Sequence, residues 1–151
     1  MEQKKLLKLD NWKHHPWSKT GMVEEIHVDF LLQIANKNNQ PYTDDLDGLI
    51  KTQVEVFNNI EKDGMRDPLL IVISRLHKTI RLESGNHRIF EAAKKGYTHL
   101  PTATIVINDK WLNEGNGRHV FDAKEIINFQ KIIDNPYPQQ EKLSDIILLD
   151  I

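Results

Sequence analysis

No cysteine occurs in the 151 residues, which excludes structural disulfides, thiolate zinc sites and cysteine nucleophiles together. Long apolar runs are missing too. Met1 to Asp10 alternates lysines with leucines and never reaches the uninterrupted stretch of a secretory signal or a membrane span, so a cytoplasmic location with no membrane partner is expected. Neither sign of charge dominates: 20 basic residues face 22 acidic ones, for a net charge of -2. That balance argues against a uniformly basic protein coating nucleic acid, although a local patch can still grip phosphates. Internal repeats and low-complexity tracts are absent as well.

What is present suits a globular chain with a real core: 39% of residues are hydrophobic and 28% charged, at a length that fits one ordinary domain with an appended tail. Residues 1–22 read as an N-terminal arm, because Pro16 and Gly21 interrupt any long regular element there and Trp12 and Trp17 offer packing groups. Residues 23–109 read as the folded domain. Residues 110–151 read as a C-terminal helix and tail packed on the same domain.

Within the domain, Val23 to Leu32 alternates and then turns continuously apolar, the pattern of a strand running into a short helix. Asn36 to Thr43 is a loop by composition. From Asp44 to Lys62 apolar residues recur at helical spacing, Thr43 or Asp44 can cap the start, and Gly64 with Pro68 closes the end. Leu69 to Ser74 and Thr79 to Glu83 form a hairpin; Asn86 to Lys95 is a helix ending at Gly96; Thr102 to Ile107 is a last β-rich run. A helix capped by Asp122 is expected over Asp122 to Ile133, and the apolar LSDIILLDI tail needs a docking surface. The fold class expected is α+β: a small mixed sheet flanked by helices.

One segment carries chemistry. In LESGNHRIF, Leu82 to Phe90, a β-run delivers the chain through Ser84-Gly85 into a helix start at about Asn86. Amides at a helix start lack intrahelical partners and the macrodipole is positive there, so the turn suits an anion. Gly85 permits close approach, Arg88 offers a planar fork for phosphate oxygens, and His87 adds a donor whose charge is tunable near neutral pH. The same residues equally suit a plain capped helix start with exposed His87 and Arg88.

The order of landmarks around that turn resembles the ParB N-terminal/sulfiredoxin superfamily. They are Phe57 to Ile60 leading to Gly64-Met65-Arg66-Asp67-Pro68, the run Leu69 to Ile73, the Gly-x-[His/Arg]-Arg turn Ser84-Gly85-Asn86-His87-Arg88, then Ala92-Ala93, Gly96 and Leu100-Pro101. The likeness covers Val23 to Asn108. It implies a ParB/sulfiredoxin-like fold and a bound nucleoside triphosphate, ATP or another, with Mg²⁺. By the same likeness Ser84, Gly85, Asn86, His87, Arg88 and Arg66 would bind nucleotide. Glu83, Asp67 and His87 would be the catalytic candidates for phosphoryl transfer.

Three departures narrow the chemistry. Asn86 stands where sulfiredoxins place their cysteine, so sulfinic acid reduction is ruled out. His87 replaces the first arginine of the partition proteins, and Ser84 replaces the acid that precedes the glycine in the related free serine kinases. An ATPase or kinase is the leading expectation. A ParB-like DNA-binding protein or DNA nuclease is the alternative, and a non-catalytic protein-interaction module the second.

Other features are weaker. His14 and His15 are adjacent and point apart, which does not suit a metal site, and His27, His77, His99 and His119 are scattered. Lys94, Lys95, Arg66, Arg75, Lys78 and Arg81 are candidates for a basic face, against the commoner reading of charges alternating on a solvated surface.

Overall fold

The computed structural model describes residues 5–7, 22–35, 57–62, 64–65, 67–84, 86–108 and 121–149, with the side chains of residues 84, 86 and 87 set aside. Trp12, Trp17, Trp111, His14, His15, His119 and most of the helix expected from Asp44 lie outside the described residues.

Chain order is β1 (Glu24–His27), α1 (Val28–Ala35), α2 (described over 57–62), β2 (Leu69–Ser74), β3 (Thr79–Ser84), α3 (Asn86–Lys94), β4 (His99–Ile107), β5 (Phe121–Asp122), a 3₁₀ turn (Phe129–Lys131), β6 (Gln139–Glu141) and α4 (Leu143–Ile146). Among the described residues the strands form one six-stranded mixed sheet, so the α+β class holds. β4 is central. It runs parallel to β2, from Leu69 beside Thr102 to Ser74 beside Ile107. Its other edge is shared, with β1 along the first half (Glu24 to Thr102, His27 to His99) and β6 along the second (Thr104 to Glu141, Val106 to Gln139). β3 pairs antiparallel with β2 and, on its outer edge, with the two residues of β5. A parallel pair needs a crossover, and the β3–α3 passage supplies it.

One face of the β2–β3 hairpin builds the main core, although β2 is also buried on its other side at Val72 and Ser74. Leu69, Ile71 and Ile73 of β2 and Ile80 and Leu82 of β3 are all buried, and they join Ile26 and Leu100 in one cluster. Two amphipathic helices contribute to the same cluster. α1 offers Val28, Leu31, Ile34 and Ala35 at helical spacing, and α3 offers Ile89 and Ala92. Gly64 and Gly96 both adopt positive φ, 94° and 82°, at the helix ends where sequence placed them.

The expected helix from Asp122 to Ile133 does not form. Asp122 does act as a cap, its Oδ1 accepting from Lys124 N at 2.9 Å, but only one turn follows. Ile126 N and Ile127 N both donate to the Ala123 carbonyl, and the ladder then stops. The backbone is taken by a distant partner instead. Asn128 N donates to the Ile146 carbonyl at 2.7 Å, Leu148 N donates to the Ile126 carbonyl at 2.6 Å, and Ile127 bridges to Ile147. Non-local pairing of β-branched residues overrides local helix propensity here. Ile127, Ile132, Leu143 and Ile146 are buried in the common core, so the first half of the apolar tail docks, while Leu148 and Leu149 remain exposed. At the other terminus Leu7 is buried and Leu6 bridges to His99.

Candidate functional site

The turn singled out by sequence lies where expected. β3 ends at Ser84 and α3 begins at Asn86. Gly85 and Arg66 are outside the described residues, and of Ser84, Asn86 and His87 only the backbone is described. A β-bulge precedes the turn: Leu70 pairs with Ser84 while Ile71 pairs with Leu82, so Glu83 is the extra residue. Bulges locally raise strand twist and re-aim side chains, which is why they recur beside functional sites.

Arg88, in the first turn of α3, donates through Nη1 to the backbone carbonyl of Asp67 at 2.8 Å. The helix start is thereby tied to the segment that leads into β2. Partial burial pushes the Arg88 pKa down and the nearby Asp67 charge opposes that shift. Two of the residues named from sequence, Arg88 and Asp67, are thus brought together across 21 positions of chain. Glu83 is held differently. Its Oε2 accepts from Arg81 Nε at 3.1 Å on the strand face opposite Ile80 and Leu82, with both side chains mostly covered.

The basic face considered from sequence resolves into separate pairs. Arg81 takes Glu83, Lys94 approaches Glu91 at 3.5 Å, and Lys95 takes Glu61. Lys95 also donates to Asn58 Oδ1 at 2.7 Å, which fastens the end of α3 to α2. Arg75 and Lys78 instead converge with Lys124 around a cavity of about 740 Å³. Sequence reasoning missed that convergence because Lys124 arrives from a segment whose course is set by pairing with residues 146–148.

Among the described residues no three His, Asp or Glu side chains form a metal-holding group, and no helix is long and apolar enough to cross a membrane. A scan against protein-family models, a search of curated proteins and a search of solved structures each find no match to this chain.

Proposed function

We propose that this chain is a nucleotide-binding protein of the ParB/sulfiredoxin-like kind, and that it hydrolyses ATP or transfers its phosphoryl group. The observation that carries the reading is the junction of β3 and α3, with Arg88 drawn from the helix start onto the Asp67–Pro68 segment by its 2.8 Å hydrogen bond. α3 is a nine-residue helix, and its first amides have no partners within the helix. Arg88 carries five N–H donors, so the bond to the Asp67 carbonyl leaves the guanidinium able to grip phosphate oxygens as well. The bond also fixes where the fork points. A Mg²⁺-bound triphosphate would supply the transferable phosphoryl group and a cation to neutralise its charge. Asp67, whose side chain is exposed beside Arg88, is the carboxylate placed to orient an acceptor or a water. Glu83 is the second candidate, positioned by the bulge and by Arg81.

A thermal-shift screen of ATP, CTP, GTP and ADP, with and without Mg²⁺, tests this, since a ligand that binds only the folded state raises apparent stability. A Mg²⁺-dependent rise with at least one triphosphate is expected, with loss of that rise in Arg88→Ala. No response to any nucleotide overturns the proposal. Steeply salt-dependent binding of single-stranded DNA in place of nucleotide favours the DNA-directed alternative.

A further inference from the structure

A cavity lies at the other end of the β2–β3 hairpin. The loop Arg75 to Lys78 closes the hairpin between Ser74 and Thr79, whereas the candidate nucleotide turn follows the far end of β3. Six residues of strand separate the two ends, about 20 Å at ~3.3 Å per residue. The cavity beside the loop, about 740 Å³, falls in the range that takes a small molecule.

Its lining is chemically one-sided. Arg75, Lys78 and Lys124 are cations, Ile127, Phe129 and Leu148 are apolar, and none of the described lining residues is acidic, although acids outnumber bases in the chain as a whole. Lys78 is held in place by two features. Its backbone sits at φ 55°, and its ammonium lies 4.4 Å from the Phe129 ring centroid. Arg75 is anchored by its backbone N, which donates to the Ile107 carbonyl at 2.8 Å, and by Nη1, which pairs with Asp134 at 2.7 Å. That pair leaves the guanidinium incompletely satisfied, because Arg75 Nε is buried with no hydrogen-bond partner. An unpaired donor on a buried charged group is costly, and an anion that turns the fork toward the cavity relieves it. Asp134 offsets one of the three positive charges, so the site still favours a ligand carrying two negative charges over a simple carboxylate.

We infer that the cavity between the Arg75–Lys78 loop and the Lys124–Gln130 segment is a binding site for a small phosphorylated molecule with an apolar body. The phosphate lies among Arg75, Lys78 and Lys124. The body lies against Ile127, Phe129 and Leu148. The inference is independent of the proposed nucleotide turn.

Phenyl phosphate titrated into ¹⁵N-labelled protein, followed by amide and arginine Nε resonances, tests it. Saturable shifts are expected in residues 75–78 and 124–130 and at Arg75 Nε, with at least about tenfold weaker binding of inorganic phosphate or phenol alone. Lys124→Glu and Lys78→Gly should each weaken phenyl phosphate about tenfold or more. Circular dichroism melts establish that each variant remains folded, and Lys78→Gly is chosen because glycine accepts the positive φ without strain. Absence of saturable shifts, shifts confined to residues 86–90, or unchanged affinity in both folded variants overturns the inference.

Discussion

Tyr97 donates its hydroxyl to Glu61 Oε2 at 2.9 Å, joining the turn after α3 to the last described turn of α2. Lys95 takes the other oxygen of the same carboxylate, and Lys5 lies 4.3 Å from the Tyr97 ring centroid while donating to the Lys95 carbonyl at 3.1 Å. An N-terminal residue, two helix ends and the approach to β4 therefore meet at one carboxylate.

The Lys95 and Tyr97 hydrogen bonds hold the Glu61 pKa below its ordinary 4.5, and desolvation followed by Glu61 itself raises that of Tyr97 above 10.0. A carboxyl with a depressed folded pKa contributes stability above its unfolded value and loses it as pH falls through the folded one. Glu61→Gln should therefore melt below the wild type at neutral pH, and the gap should close as pH drops below about 4. Melting curves across that range check the sign. A gap that stays constant with pH would falsify the linkage.

The C-terminal segment is integral to the core, so its removal should be felt throughout. Leu143 is fully buried in α4, and Leu143→Ala should cost about 2–5 kcal/mol, with Ile133→Ala, at 75% exposure, near neutral. For a chain of this length that is a fall in Tm of roughly 5–15 °C for Leu143→Ala. Equal melting temperatures for the two variants would show that the tail is only loosely attached.

Local signals explain what was legible in the sequence. The hairpin, α1, α3 and the glycine stops at Gly64 and Gly96 each depend on periodicity or backbone freedom within a few residues, and all are found. The course of the segment after Asp122 is not legible locally because its deciding partners, Ile146 and Leu148, lie about twenty residues on, where no local pattern points back to them. The candidate turn was legible as a place and not as a set of contacts. The Arg88 bond to Asp67 and the bulge at Glu83 are products of strand register, while the Arg81–Glu83 pairing could have been anticipated from opposite charges two apart on one strand face.

Lys78 occupies the left-handed region with an ordinary side chain, at a cost of about 1–2 kcal/mol that its place over Phe129 partly offsets by roughly 0.5–1 kcal/mol. Lys78→Gly removes both effects and should leave stability within about 1 kcal/mol of wild type. Lys78→Val removes the same charge yet keeps the strain with a stiffer side chain, and should lose about 2 kcal/mol or more. Urea titrations of the pair separate backbone strain from charge. Indistinguishable midpoints would mean that the loop relaxes to another conformation.

Asp67 allows binding and chemistry at the proposed nucleotide site to be told apart. Arg88 bonds to the Asp67 backbone carbonyl, so Asp67→Asn keeps the 2.8 Å anchor while it removes the carboxylate charge. The side chain is exposed, so Asp67→Asn should stay folded, which its melting curve checks. If the carboxylate orients the acceptor, Asp67→Asn should retain the nucleotide-induced thermal shift while turnover falls by about 10²–10⁴-fold. Arg88→Lys, which keeps a positive charge but loses the planar fork, should instead weaken the thermal shift itself. Turnover unchanged in Asp67→Asn would remove Asp67 from the chemistry and leave Glu83, beside Arg81 at the bulge, as the carboxylate to replace next.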